Sequence, residues 1–207
     1  MLKIWGRTNS VNVQKLLWCC DELRIPYERV DAGMEFGKNH DPEYLAKNPT
    51  SLIPLIEDGD FVLWESNSIL RYLAMKHGGR GLYPVEARER ALIDRWLDWS
   101  LSTLQPAERP VFVGMVRTAP EERDMTAIEA AVAKVAAVWA VLDAHLAGRR
   151  FVENDMFTLA DIVLGAYARR WFGIDGIERP AMPHLERWYE RLAERASFSR
   201  QIAKPLR

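Results

Sequence analysis

Cysteine is nearly absent: Cys19 and Cys20 are the only two among 207 residues. They are adjacent within a stretch of helical periodicity, where neighbouring side chains point apart, so a bridge between them is not expected. They read as reduced packing residues, and without a Cys-x-x-Cys pair dithiol redox chemistry is disfavoured. An excess of either charge is also missing, since 28 Lys+Arg against 29 Asp+Glu leaves a net charge of -1. No overall field therefore draws the chain toward nucleic acid or an anionic membrane, and neither is expected as a partner. No 18 apolar residues run together, and MLKIWGRTNS has no basic region followed by an apolar stretch. Neither a membrane span nor a signal peptide is predicted, which points to the cytoplasm. Internal repeats and low-complexity segments are lacking too. Tryptophan is abundant, with eight residues, several of them candidates to line an apolar pocket. At 48% hydrophobic and 28% charged, the chain suits a neutral small-molecule protein of two small domains.

The apolar run Leu2 to Trp5 predicts a strand, and Thr8, Asn9 or Ser10 offers a cap before Val13, Leu16, Leu17 and Cys20 at helical spacing. Tyr27 to Val30 follows Pro26 as a second strand, and Asp41-Pro42 starts a helical turn in a polar stretch. Leu52 to Glu57 and Phe61 to Trp64 flank Asp58-Gly59-Asp60 as a hairpin. Ser66 or Asn67 then caps a helix carrying Ile69, Leu70 and Leu73. Strand-helix-strand followed by strand-strand-helix is the thioredoxin pattern, a small mixed sheet with helices packed on it. Gly78-Gly79-Arg80-Gly81 and Pro84 break it, placing a boundary between domains 1–78 and 86–207. Beyond it the periodicity is helical: Leu92, Trp96 and Trp99; then Ile128, Val132, Val135, Trp139, Leu142 and Leu146; then Leu185, Trp188, Tyr189 and Leu192. Phe157-Thr158 with Asp161 matches a hydrophobic staple and capping box.

Two features of the first domain carry chemistry. Pro54 precedes the hairpin strand, where a thioredoxin-like sheet commonly has a cis peptide, and the backbone of Ile53 could then pair with an extended peptide. A trans proline at a strand start is the plain alternative. Glu65-Ser66 stands between a strand end and a helix start. The helix N-terminus and the Ser66 hydroxyl can hold a carboxylate while Glu65 meets an adjacent ammonium, matching both halves of a zwitterion; simple capping is the alternative.

The run NPTSLIPLIEDGDFVLWESNSILRYL, Asn48 to Leu73, closely resembles the glutathione-binding segment of cytosolic glutathione transferases, of the bacterial theta-like serine or asparagine type. The resemblance implies an α/β thioredoxin-like N-terminal domain joined to an all-α helical C-terminal domain. It further implies glutathione as co-substrate, no metal, a homodimer, and a transferase joining the glutathione thiolate to a hydrophobic electrophile. By the same resemblance Ile53 and Pro54 meet the cysteinyl part of glutathione, Glu65 and Ser66 its γ-glutamyl end, and Asn39, flanked by Lys38 and His40, its glycine carboxylate. Family members commonly carry a cation where this chain has Leu52. The FTLAD segment at 157–161 resembles a structural capping box of the family and is assigned to folding.

The thiolate is the nucleophile, so a donor must face the sulfur. In the loop Arg7-Thr8-Asn9-Ser10-Val11-Asn12, Ser10 matches the serine of theta-like relatives, Asn12 is its rival, and Thr8 is a third candidate. Ser10 as a mere helix cap is the bland reading. No tyrosine precedes Tyr27, and Cys19 lies about two helical turns along the helix, so tyrosine- and cysteine-type sites are disfavoured. Pro106, Arg109, Val113 and the Trp171-Phe172 pair are candidate walls of a mostly apolar electrophile pocket, with core packing the alternative for each and Arg109 able to attract an anion. Glutathione-dependent peroxide or disulfide reduction, and a non-catalytic glutathione-binding module, are the rival functions.

Overall fold

Alternation along LKIW sends Leu2 and Ile4 into the core and Lys3 and Trp5 to the opposite face. In the computed structural model, which describes residues 1–153 and 155–207, this strand, β1 (Leu2–Trp5), pairs in parallel with β2 (Tyr27–Val30). The connection between them is helix α1 (Val11–Leu23), the crossover that a parallel pair requires. Strand β3 (Leu55–Asp58) runs antiparallel to β1 and turns through Gly59-Asp60 into β4 (Phe61–Trp64), giving the order β2-β1-β3-β4. Gly59 takes φ +69°, a value a tight reversal needs and glycine adopts freely. Helices α1 and α3 (Ser66–Lys76) contact each other, with residues of both in the core that Leu2 and Ile4 join. On the other face α2 (Pro42–Lys47) sets Tyr44 edge-on to Trp5, centroids 5.9 Å apart.

Two boundaries differ from the sequence expectation. Strand β3 begins at Leu55 rather than Leu52, because Pro54 has no N–H for the ladder and the Leu52 carbonyl is taken by Tyr44 Oη at 2.6 Å and Asn48 Nδ2 at 2.8 Å. Helix α3 is capped by neither Ser66 nor Asn67: Glu65 holds the cap position, Ser66 is its first residue, and the Asn67 side chain turns inward.

The rest of the chain is helical: α4 (Ala87–Trp99), a π segment Ser100–Leu104, α5 (Gln105–Phe112), a second π segment Val113–Arg117, then α6 (Met125–His145), α7 (Leu159–Gly173), α8 (Pro183–Ala193) and α9 (Ala196–Gln201). Three-ten turns cover Met34–Phe36 and Pro120–Glu122. In α4 the inward face is Ile93, Trp96 and Leu97, while Leu92 is exposed, one residue off the expected stripe. Helix α6 buries the expected Ile128, Val132, Val135, Trp139 and Leu142. Among the described residues it is the one helix long and apolar enough to cross a membrane by length and composition, a test that a core helix also passes. Trp18, Trp139, Trp171 and Trp188 are fully buried, so these indoles fill the core instead of lining a pocket. Cys19 and Cys20 are buried packing residues, and burial pushes the Cys20 thiol up to about 12.

The two halves share one continuous core. Helix α1 lies against α3, α7 and α9. Gly165 of α7 permits this approach, since a Cβ there would stand 3.2 Å from the Trp18 ring and 2.6 Å from Leu192. At the other end of α1, Glu22 accepts from Arg195 at 2.6 and 2.9 Å and from the Ser197 hydroxyl.

The capping box is present at α7. Fully buried Asp161 accepts from Thr158 N at 2.8 Å, Thr158 Oγ1 at 3.1 Å, Val152 N at 2.9 Å and Trp188 Nε1 at 2.8 Å. Burial raises its pKa to about 6 against those bonds. Asp161→Ala leaves four donors in the core without an acceptor, so it is expected to cost about 3–5 kcal/mol in urea unfolding, while turnover per folded molecule stays at the native value.

Candidate functional site

A cavity of about 330 Å³ opens where the N-terminus of α3 meets the loop before β3 and the first π segment. Its walls include Ile53, Pro54, Glu65 and Ser66, which are thereby brought together as the sequence motif anticipates. The Ile53–Pro54 peptide is cis. The Ile53 side chain packs toward Gly33, whose added Cβ would sit 3.1 Å from Ile53 Cδ1, and Ile53 is part of the cavity wall. The loop is held from behind by nearly buried Asn48. Its Oδ1 accepts from Thr50 N at 3.1 Å and Thr50 Oγ1 at 2.7 Å, and its Nδ2 holds the Leu52 carbonyl. Asn48 opens the run that carries the family resemblance, and nothing in the sequence marks this bracing role.

Glu65 sits at φ 70°, ψ 106°, a left-handed conformation that a residue with a side chain adopts at a cost of about 1–3 kcal/mol. The strain delivers an exposed carboxylate and the free N–H groups of the first turn of α3 to the same wall. Ser66 is buried and also lines that wall. An acid beside a helix N-terminus can receive an ammonium and a carboxylate separated by one carbon.

A second cavity, about 270 Å³, adjoins the first and shares Asn12, Leu52, Ile53 and Gln105 with it. Ser10 lines this second cavity. Its backbone is the N-cap of α1, but its side chain makes no capping bond, so the hydroxyl is not used by the helix. Asn12 stands between the cavities with a buried, unpartnered Oδ1. Thr8 lies elsewhere, beside Asn9, Glu35 and Lys204. Asn39 is not on either cavity wall; its Nδ2 donates to the Ser51 carbonyl at 2.7 Å and braces the loop.

The expected electrophile walls need correction. Arg109 and Val113 line the second cavity, but exposed Pro106 does not. Trp171 is buried in the core and Phe172 packs on Tyr189, centroids 4.7 Å apart. Nor is this cavity mostly apolar: Arg7, Arg117 and Arg170 join Arg109 around it. Pairing with Glu108 at 3.1 Å holds Arg170, and burial pushes the Glu108 carboxyl up against that pull. Of the four, only Arg109 is anticipated by the sequence; Arg117 and Arg170 lie in helical stretches, where an arginine is exposed by default, and Arg7 lies in the loop before α1.

Behind both cavities lies Lys15, fully buried on α1. Its Nζ donates to Asn67 Oδ1 at 2.7 Å, and Asn67 Nδ2 donates to the Leu97 carbonyl of α4 at 2.9 Å. Burial lowers the Lys15 pKa to about 7; Glu65 opposes the shift, while Arg170 and Arg71 add to it.

Known proteins share this architecture. Residues 1–75 match the family Glutathione S-transferase, N-terminal domain, and residues 103–196 match Glutathione S-transferase, C-terminal domain. The chain is 42% identical over 208 residues to glutathione S-transferase GstB of Escherichia coli strain K12, covering all of both chains. It is 34% identical to glutathione S-transferase 3 of Zea mays, over 98% of this chain and 93% of that one. Among solved structures, it matches the theta class glutathione S-transferase of Xanthomonas axonopodis pv. citri with glutathione bound at TM-score 0.95 and 43% identity, over 100% of this chain and 99% of that one.

The buried lysine has a pH signature. Between pH 7 and its ordinary value of 10.5 the unfolded chain holds a proton that folded Lys15 has released, so stability rises with pH through that window. Cys20 and Tyr44, both raised to about 12, reverse the trend above their ordinary values of 9.0 and 10.0. Urea unfolding from pH 7 to 9 should therefore show a gain of about 2 kcal/mol from this group, and Lys15→Met should flatten it.

Proposed function

The chain belongs to the glutathione S-transferase family, and on that footing we propose that Ser10 stabilises the glutathione thiolate while it attacks an electrophilic carbon held in the second cavity. The observation that carries the proposal is Ser10, its hydroxyl free of helix capping, on the wall of a chamber that shares Asn12 and Ile53 with the Glu65-Ser66 cavity. The γ-glutamyl carboxylate takes the N–H groups of α3 and the Ser66 hydroxyl, Glu65 takes the ammonium, and Ile53 pairs with the cysteinyl backbone. The sulfur then reaches the junction beside Asn12. Asn39, which holds Ser51 in place, supports the loop facing the glycine carboxylate.

An ordinary thiol, with pKa about 8.5, is mostly protonated at neutral pH. Each unit of lowering needs about 1.4 kcal/mol of preference for the thiolate, and a hydrogen bond to a charged acceptor supplies roughly 1.5–3 kcal/mol. One hydroxyl, with the positive end of α1 behind it, is therefore enough for one to two units. A carbon–sulfur bond forms as the leaving group departs with its electron pair, and no protein group becomes covalently attached. Residues 1–78 hold glutathione and 86–207 supply the far wall of the electrophile chamber. A cytoplasmic homodimer, implied by the family resemblance, completes the proposal; two buried free cysteines suit a reducing compartment.

Steady-state kinetics with a benzylic chloride tests it. Ser10→Ala should lower kcat/KM about a hundredfold, with the glutathione Kd within about twofold by calorimetry. Loss on Asn12→Ala and none on Ser10→Ala would transfer the role to Asn12. Native protein that binds glutathione yet turns over an organic hydroperoxide and no benzylic chloride would overturn transfer to carbon. Glu65→Gln should instead weaken glutathione binding at least tenfold, about 1.4 kcal/mol, without unfolding the protein.

A further inference from the structure

We propose that the second cavity selects small electrophiles bearing an anionic group, a carboxylate or sulfonate, and that Arg7 is the residue that receives it; the proposal rests on the transfer reading above. The cavity brings together four arginines, Arg7, Arg109, Arg117 and Arg170, and one acid, Glu108. The acid is already engaged, because Arg170 Nη1 lies 3.1 and 3.4 Å from its two oxygens, with the Arg170 guanidinium 3.7 Å from the centre of the Phe112 ring. Among the described residues Arg7 has no such partner. It is 8% exposed, and its Nε and Nη1 are buried without a hydrogen bond.

Such a group is unusual. Buried polar atoms are nearly always hydrogen-bonded, and arginine cannot escape the cost by losing its proton. Burial and the nearby Arg117 and Arg170 disfavour the charged form of Arg7, and only exposed Glu35 opposes them. Arg117, whose side chain is largely exposed, is shifted in the same direction by partial desolvation, Arg170 and Arg109, with Glu35 opposing. An oxyanion entering the cavity relieves these repulsions together, and a guanidinium fork fits the two oxygens of a carboxylate. At about 270 Å³ the space suits one ring or a short chain. The anionic group is a spectator: the thiolate sulfur still bonds to carbon and the leaving group leaves with the electron pair.

The test compares 4-(chloromethyl)benzoate with 4-(chloromethyl)benzamide, equal in size and leaving group and different in charge, each rate divided by its uncatalysed rate with glutathione. The native enzyme should favour the benzoate at least tenfold in kcat/KM. Arg7→Met should bring the ratio close to one, and Arg117→Met, altering an exposed side chain, should lower it about threefold or more. Glutathione affinity reports that each variant is folded. A native ratio near one, with both compounds turned over, would overturn anion selection and leave transfer standing. A tenfold preference that survives both substitutions would also overturn it. Turnover of neither compound by protein that binds glutathione would remove the transfer reading and this assignment with it.

Discussion

The side-chain bridge from Lys15 Nζ to Asn67 Oδ1, continued from Asn67 Nδ2 to the Leu97 carbonyl, joins three helices at the seam on which everything else rests. Helix α1 brings Ser10 and Asn12, α3 brings Glu65 and Ser66, and α4 leads into the segment carrying Gln105 and Arg109. No single element contains the site, so its geometry depends on how these three are held. An apolar seam would fix their separation but not their rotation. A buried lysine with one good acceptor does both, because sliding any of the helices would leave Nζ or the Asn67 amide unpaired in the core.

The cost of that bridge fits a wider pattern in which stability is given up around the cavities. Lys15 is desolvated, Glu65 is held in the left-handed region, and Arg7 has buried donors with no acceptor. Compensation lies at a distance: the continuous core of both halves, the Asp161 acceptor under α7, and the Glu22 cluster that ties α1 to Arg195 and Ser197. Strained or unsatisfied groups survive where the surrounding packing over-determines them. Here they surround the same two adjoining cavities.

Much of the first half was legible because proline, glycine and capping residues mark its turns at fixed intervals. Leu2–Trp5 and Tyr27–Val30 have the expected bounds, and the Pro54 and Glu65-Ser66 motifs meet on one wall. The helical half was legible where the period of 3.6 holds, as in α6. It was lost between Ser100 and Arg117, where two π segments shift the face that each side chain presents. Pro106 and Pro110 fall in this stretch and withhold N–H groups from the regular ladder. The charged character of the second cavity was hidden for a related reason. Its arginines come from the loop before α1, from α5, from a π segment and from α7, so no local charge run announces them.

In the proposed function, the junction of the two cavities turns bound glutathione into a nucleophile. An ultraviolet difference titration of the protein–glutathione complex, following thiolate absorbance against pH, tests it most directly. The expected result is a bound thiol pKa about one to two units below the ordinary value of about 8.5. A bound tripeptide whose thiol titrates as it does in water would contradict it, leaving a protein that holds glutathione without activating it.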